Sequence, residues 1–250
     1  MPDLSSEPKF LEPILGVAFD LDGTLVLSHH DFGRIRSAVV RVAEKHGVVP
    51  GQLSVGEPVH RIVESAREAM RAASVPDGEI WRFEAEYHRA IDAIEMEALP
   101  RTVVRGGAEA LLQGLRGRGF RLGVLTRSSE AFARAALARA NLGPYFSYLR
   151  SRSAPGPAKP SPEALLALLH EMGVPGERAL FVGDHLLDAE CATAARVRFY
   201  AVLPDPSEKA DLAEAAERFR AAGASAVARD LAELARYLAG APAARPAGGP

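Results

Sequence analysis

Two aspartates one residue apart follow the first strongly apolar stretch of the sequence. Residues 14–19 are mostly apolar, and Asp20 and Asp22 come directly after them, with Gly23 behind. If the chain stays extended there, both carboxylates point to the same side. One could attack a phosphorus atom while the other passes a proton to the leaving oxygen, and Gly23 would allow a sharp turn. The alternative is an ordinary turn at a strand end, where Asp and Gly are common.

Two further polar residues stand where an anion could bind. Thr126 follows the apolar residues 122–125 and would present a hydroxyl and backbone N–H groups to an anion. Lys159 stands just before a predicted helix start, where a cation could hold both a nucleophile and a phosphate oxygen. Each has a plainer alternative, a local cap for Thr126 and a solvated surface residue for Lys159.

A second pair of aspartates follows a third apolar run, residues 179–182. Asp184 and Asp188 are four positions apart, so a helix there would place both on one face. Oxygen ligands of this kind are what Mg²⁺ prefers. The alternative is a pair of acidic residues that stabilises a helix N-terminus.

The elements that must position these residues alternate between strands and helices. Apolar runs at residues 14–19, 122–125, 179–182 and 199–203 suit strands that are covered on both faces. Helical patterns lie between them, at 109–118, 130–140 and 161–172. This alternation predicts an α/β fold, a doubly wound, Rossmann-like parallel sheet with right-handed crossovers. Ligands bind at the carboxyl ends of the strands in such sheets.

Residues 28–100 break the alternation, because their apolar residues recur only at helical spacing. They predict a smaller all-α domain inserted after the first strand. We therefore expect a core made of residues 12–27 and 101–238, the helical insert at 28–100, and flexible termini at 1–11 and 239–250.

Taken together, the motifs resemble those of the haloacid dehalogenase superfamily. That family carries a strand-end Asp-x-Asp-Gly-Thr, then a Thr or Ser, then a Lys, then Gly-Asp-x-x-x-Asp. The match covers about residues 14–203, with the insert in the position of the family's helical cap. Lys-Pro-Ser-Pro at 159–162 is similar to the Lys-Pro-x-Pro often found in phosphoglycolate-phosphatase-like members. The resemblance implies a cap that closes over the site and excludes bulk water.

The resemblance assigns roles to individual residues. Asp20 would attack in line and form an aspartyl-phosphate, and Asp22 would protonate the leaving alcohol and then activate water. Thr126 and Lys159 would hold the phosphoryl oxygens. Arg127 stands where many relatives have Asn, so it would bear on substrate binding and specificity.

The resemblance also implies a Mg²⁺ ion at the same edge of the sheet. Its ligands would be the Asp20 carboxylate, the Asp22 backbone carbonyl and the Asp184 carboxylate. Asp188 would support the metal directly or through water. The ion and a Lys would offset the repulsion between an attacking carboxylate and a phosphate dianion.

The function implied is a Mg²⁺-dependent phosphatase that acts on a small phosphorylated metabolite. A phosphomutase shares the same catalytic set and remains an alternative, as does a catalytically inactive binding or regulatory scaffold. The halide-removing and phosphonate-cleaving members of the superfamily replace the second motif aspartate, so Asp22 favours phosphate chemistry.

The composition limits the partners. A formal net charge of −2 gives no strong field for nucleic acid or an anionic membrane. No secretory signal or membrane-spanning stretch is expected, and one cysteine, Cys191, cannot form an internal disulfide. We therefore expect a cytoplasmic protein whose partner is a small phosphorylated metabolite, with its oligomeric state open.

Overall fold

The computed structural model describes residues 13–205 and 211–240. The chain divides into two compact units. The first, the core unit, contains the residues up to Leu27 and those from Val103 onwards, and the second, the helical unit, is Ser28–Thr102. The predicted flexible termini lie outside the described residues, apart from Ala239 at the end of a helix and Gly240 after it.

Within the described residues, the core unit contains one six-stranded parallel sheet and one antiparallel pair of short strands. The strands are β1 (Gly16–Phe19), β2 (Val26–Leu27), β3 (Val103–Val104), β4 (Arg121–Leu125), β5 (Tyr148–Arg150), β6 (Ala179–Gly183), β7 (Arg198–Val202) and β8 (Ala226–Ala228). The order in the large sheet is β5-β4-β1-β6-β7-β8, and β2 pairs with β3. The four strands expected from apolar runs are present as β1, β4, β6 and β7, whereas β5 and β8 were not predicted.

Helices cover both faces of the sheet. The helices of the core unit are α4 (Ala108–Gly117), α5 (Glu130–Arg139), α6 (Pro162–Met172), α7 (Leu186–Ala194), α8 (Leu212–Ala221) and α9 (Leu231–Ala239). The apolar sides of α6, α7 and α8 form one hydrophobic cluster with Phe181 and Phe199. On the other side of β7, Tyr200 meets Tyr237 of α9 with ring centroids 5.2 Å apart, and α9 packs against α4.

This arrangement confirms the predicted doubly wound α/β fold. From β1 the chain builds outward to β4 and β5, then returns to the opposite side of β1 for β6, β7 and β8. The carboxyl end of β1 is therefore the point where the winding direction reverses, the usual position of ligand sites in open parallel sheets. Asp20 stands directly after β1 at this point.

The helical unit consists of α1 (Phe32–Lys45), α2 (Val59–Ala72) and α3 (Asp77–Ala98). Their apolar stripes form a separate hydrophobic core that includes Val39, Met70 and Phe83. Asp31 caps α1 by accepting a hydrogen bond from the Arg34 backbone N–H at 2.9 Å. The identification of this unit as a cap rests on sequence resemblance and stays a prediction. None of the helices in the described ranges combines the length and hydrophobicity needed to cross a membrane.

Candidate active site

Asp20 is held in a tight turn where β1 leaves the sheet. Its backbone N–H donates to the Val182 carbonyl at 2.8 Å, which ties it to β6. The next residues turn back sharply, and the Gly23 N–H donates to the Val26 carbonyl at 2.7 Å. Gly23 has a φ of +86°, and a Cβ there would collide with the carboxylate of Asp184. Only glycine fits both the backbone and the space, as the sequence predicted.

Lys159 reaches into the same site from the segment before α6. It is 5% exposed, so the alternative of a solvated surface lysine is wrong. Its ammonium donates to the carboxylate of Asp20 and, at 2.7 Å, to Oδ1 of Asp188. The ammonium also lies 5.5 Å from the ring centroid of Phe181. A buried cation thus joins the first aspartate motif to the last.

Asp184 and Asp188 reach the site from different elements. The helix α7 begins at Leu186, so Asp184 stands at the end of β6, and the prediction that both aspartates share a helix face is wrong. They meet because the strand end adjoins the first helical turn. Asp184 accepts a hydrogen bond from Thr24 Oγ1 at 2.5 Å. Asp188 accepts one from the His185 backbone N–H at 3.1 Å, so it also caps the helix.

One carboxylate oxygen from each of Asp20, Asp184 and Asp188 lies within 4.8 Å of the other two. Oxygens at this spacing can coordinate a single hard cation. Three carboxylates and the ammonium of Lys159 leave two negative charges when all are ionised, which one divalent cation would balance. The chemistry and the charge of this donor set therefore fit Mg²⁺. The carboxylate of Asp22, which is half-buried, is not one of the three.

Burial and crowding shift the proton affinities of these groups. Burial raises the pKa of Asp20 to about 7, against the attraction of Lys159, and the charge of Asp188 adds to the rise. Burial and the charges of Asp20 and Asp188 raise the pKa of Asp184 well above its ordinary value. Burial alone would lower the pKa of Lys159. The negative charges and hydrogen bonds of Asp188 and Asp20 have a larger effect, so the pKa of Lys159 lies above its ordinary value. The site thus has more negative charge than its own lysine can neutralise.

The segment after β4 lies beside β1 at the same edge of the sheet. Thr126 is 3% exposed, and its backbone N–H donates to the Arg150 carbonyl at 2.9 Å. Its hydroxyl accepts a hydrogen bond from the Ser128 N–H at 3.0 Å. This bond is the local cap that the sequence analysis gave as the alternative for Thr126. Arg127 is half-buried, and its carbonyl accepts from Arg152 Nε at 2.9 Å. The phosphate-binding roles of Thr126 and Arg127 stay predictions.

Two residues at this edge carried no assignment in the sequence analysis. Thr24 belongs to the first motif and binds Asp184 directly. Arg105 lies 3% exposed between β3 and α4, and its guanidinium donates to the carbonyls of Gly23 and Leu203. The motif itself could have indicated Thr24. The partners of Arg105 are backbone groups, and no side-chain pattern marks them.

Comparison with known proteins agrees with this architecture. The family model described as haloacid dehalogenase-like hydrolase matches residues 14–196. The chain belongs to this family of hydrolases. It is 31% identical over 227 residues to a phosphoglycolate phosphatase of Rhodospirillum rubrum, covering 89% of this chain and 90% of that protein.

Solved structures show the same fold. A haloacid-dehalogenase-superfamily hydrolase of subfamily IA, variant 1, from Geobacter sulfurreducens is 28% identical, with a TM-score of 0.53 over 90% of this chain and 96% of its own. A putative haloacid dehalogenase-like hydrolase from Bacteroides fragilis is 22% identical and gives a TM-score of 0.62 over 88% of this chain and 99% of its own. At that lower identity the second likeness concerns the fold alone.

Proposed function

We propose that this protein is a Mg²⁺-dependent phosphatase that hydrolyses a small phosphomonoester through an aspartyl-phosphate on Asp20. The observation that carries the proposal is the buried contact of Lys159 with both Asp20 and Asp188 at the carboxyl end of the central strand. Relatives named phosphoglycolate phosphatases make a small phosphorylated carboxylic acid the first substrate to test.

In the first step, a carboxylate oxygen of Asp20 forms a bond to the phosphorus atom, and the bond from phosphorus to the ester oxygen breaks. Asp22 gives its proton to the departing oxygen, so an alcohol leaves. Lys159 orients the Asp20 carboxylate, and its positive charge offsets the repulsion between that carboxylate and the phosphate. Thr126 and Arg127 would bind the phosphoryl oxygens from the neighbouring strand end.

In the second step, Asp22 takes a proton from a water molecule as the water oxygen bonds to phosphorus. The acyl-phosphate bond breaks, inorganic phosphate leaves, and the Asp20 carboxylate is restored. Asp22 therefore acts as an acid and then as a base, which a half-buried carboxylate beside the nucleophile can do.

Asp20, Asp184 and Asp188 are the carboxylates proposed to hold Mg²⁺, together with the Asp22 backbone carbonyl. The bound ion would polarise the phosphoryl group and stabilise the charge that develops on its oxygens. Thr24 contributes by fixing the Asp184 carboxylate through its 2.5 Å hydrogen bond.

The proposal extends to the setting of the enzyme. We propose a cytoplasmic location, a free small metabolite as partner, no role in nucleic-acid or membrane binding, and the family's cap as the identity of the unit Ser28–Thr102. The single cysteine, Cys191, is buried and free, which suits a reducing compartment.

A panel of phosphomonoesters tests the proposal. It should include 2-phosphoglycolate, sugar phosphates, nucleoside monophosphates and an aryl phosphate, each with Mg²⁺ and with a chelator. We expect Mg²⁺-dependent release of inorganic phosphate, no release with the chelator, and kcat/KM highest for one small metabolite. Faster transfer to a sugar acceptor than to water would indicate a mutase instead, and no turnover of any compound would indicate a binding scaffold.

A further inference from the structure

Arg105 connects three parts of the core unit that are far apart in sequence. Its guanidinium donates through one terminal nitrogen to the Gly23 carbonyl and through the other to the Leu203 carbonyl. Its own backbone N–H donates to the Leu25 carbonyl at 2.9 Å. Leu203 is itself fixed, because its N–H donates to the Ala228 carbonyl at 2.9 Å. One buried residue therefore holds the turn after β1 against the end of β7.

The turn that Arg105 holds determines where Asp184 lies. The Gly23 backbone faces the Asp184 carboxylate so closely that no Cβ would fit between them. The neighbouring Thr24 hydroxyl donates to Asp184 Oδ1 at 2.5 Å. A shift of the Gly23 carbonyl would therefore move Thr24, and with it the carboxylate that Thr24 orients.

The chemistry of this position requires an arginine. Two carbonyl acceptors at separate places need a planar group with donors pointing in different directions, and guanidinium has this geometry. A lysine ammonium is a compact single centre on a flexible stem and is poorly suited to span both acceptors.

We infer that Arg105 is a positioning residue for the metal site, which it supports by fixing the turn of residues 20–26 against the end of β7 without touching the metal or the substrate. The inference deepens the proposed function and rests on its metal site. Groups that orient metal ligands typically change metal affinity or activity by roughly 10- to 100-fold when they are replaced. We expect R105M to weaken divalent-metal binding by an amount in that range.

A control exists at the amino-terminal ends of the strands, away from the aspartates. Arg121 at the start of β4 also donates to two backbone carbonyls, those of Met172 at 3.0 Å and Gly173 at 2.7 Å. Arg121 is exposed and uses one terminal nitrogen for both bonds, so R121M is a control for the loss of an arginine–carbonyl contact away from the aspartates. A purely structural role of Arg105 would lower stability in R105M and leave its metal affinity equal to that of R121M and wild type.

The experiment is a titration of the full-length protein with Mn²⁺, with free Mn²⁺ measured by electron paramagnetic resonance, for wild type, R105M, R105K and R121M. We expect the Mn²⁺ dissociation constant to rise by about 10- to 100-fold in R105M, to rise less in R105K, and to be unchanged in R121M. If R105M does not fold, R105K decides the matter by the same comparison with R121M.

An R105M or R105K affinity equal to that of wild type, or an equal loss in R121M, would overturn the inference. The kinetic counterpart is a higher Mg²⁺ concentration for half-maximal activity in R105M, with a smaller change in the KM for substrate. Because Mn²⁺ binding needs no turnover, a wild type that binds Mn²⁺ tightly but hydrolyses no phosphomonoester would refute the proposed function and leave the role of Arg105 standing.

Discussion

Two ion pairs, one at the candidate active site of the core unit and one in the helical unit, differ sharply in burial. In the core unit, the side chains of Lys159 and Asp188 form an ion pair with exposed fractions of 3% and 1%. In the helical unit, those of Lys45 and Glu86 pair with exposed fractions of 63% and 31%. Burying charge is expensive even when it is paired, and replacing such a pair with apolar residues often costs no stability. The buried charges of the core unit are therefore best explained by chemistry, and the exposed pairs of the helical unit by solvation.

The largest expected effect on kcat comes from replacing the nucleophile in the core unit, and a similar change in the helical unit should leave kcat unchanged. Asp20→Asn should lower kcat by at least about three orders of magnitude, because an amide neither attacks phosphorus nor binds a metal well. Steady-state phosphate release with Mg²⁺ measures it, and the equivalent change Glu97→Gln in the helical unit, where Glu97 pairs with Arg34 at 2.6 Å, is the control. Substantial activity in the Asp20 variant would mean that the buried cluster is not the catalytic centre.

Two lysines allow a direct test of the contrast in burial. Lys159→Met should cost about 3–5 kcal/mol of unfolding free energy, because buried carboxylates lose their cation, and should lower kcat by about 10²–10³-fold. Lys45→Met removes an exposed partner and should change both quantities little. Urea unfolding at neutral pH and phosphate release measure the two effects. Equal destabilisation by the two changes would contradict the distinction drawn between the units.

Metal binding should stabilise the protein only through the core unit. Mg²⁺ at about a hundred times its dissociation constant should add about 2.7 kcal/mol to the unfolding free energy. Asp184→Asn should abolish most of this gain, since it removes one of the three converging carboxylates. Glu97→Gln should retain it. Thermal unfolding with and without Mg²⁺ provides the measurement, and a full gain in the Asp184 variant would place the metal elsewhere.

The smallest expected effect is on the pH dependence of the stability of the helical unit. A hydrogen bond from His46 lowers the pKa of Glu79, and bonds from Lys45 and His46 lower the pKa of Glu86. When folding lowers the pKa of a carboxyl group, the group stabilises the folded state at pH values above its pKa in the unfolded chain. This stabilisation is lost as the pH falls through the pKa of the folded state. His46→Gln should therefore lower the unfolding temperature near about pH 6, and the difference should shrink as the pH falls below 4.5, the ordinary pKa of these carboxyls. Circular dichroism would show it, and a pH-independent difference would argue against these bonds.

Much of the core was predictable because burial on both faces leaves continuous apolar runs. β1, β6 and nearly all of β4 and β7 are buried, and their runs stand out in the sequence. The strands β5 and β8 were missed because each has three residues and few of them are fully buried. Edge strands of this length leave no periodicity to detect.

The site was predictable to the extent that its groups follow strands. Asp20 and Asp184 stand at strand ends, and the parallel sheet brings those ends together. The burial of Lys159 could not be predicted, because lysine is normally exposed and its two carboxylate partners lie 139 and 29 positions away in sequence. The position of Arg105 was harder still to predict, because its acceptors are the backbone carbonyls of residues 23 and 203, which any residue type could supply.

The proposed mechanism requires Asp20 itself to carry the phosphoryl group during turnover. Acid quenching during steady-state hydrolysis with Mg²⁺, followed by peptide mass spectrometry, would detect this intermediate. We expect one phosphoryl group on the peptide that contains Asp20, lost when a chelator is present and absent from the Asp20→Asn variant. A phosphoryl group on another residue during undiminished turnover would show that Asp20 is not the nucleophile.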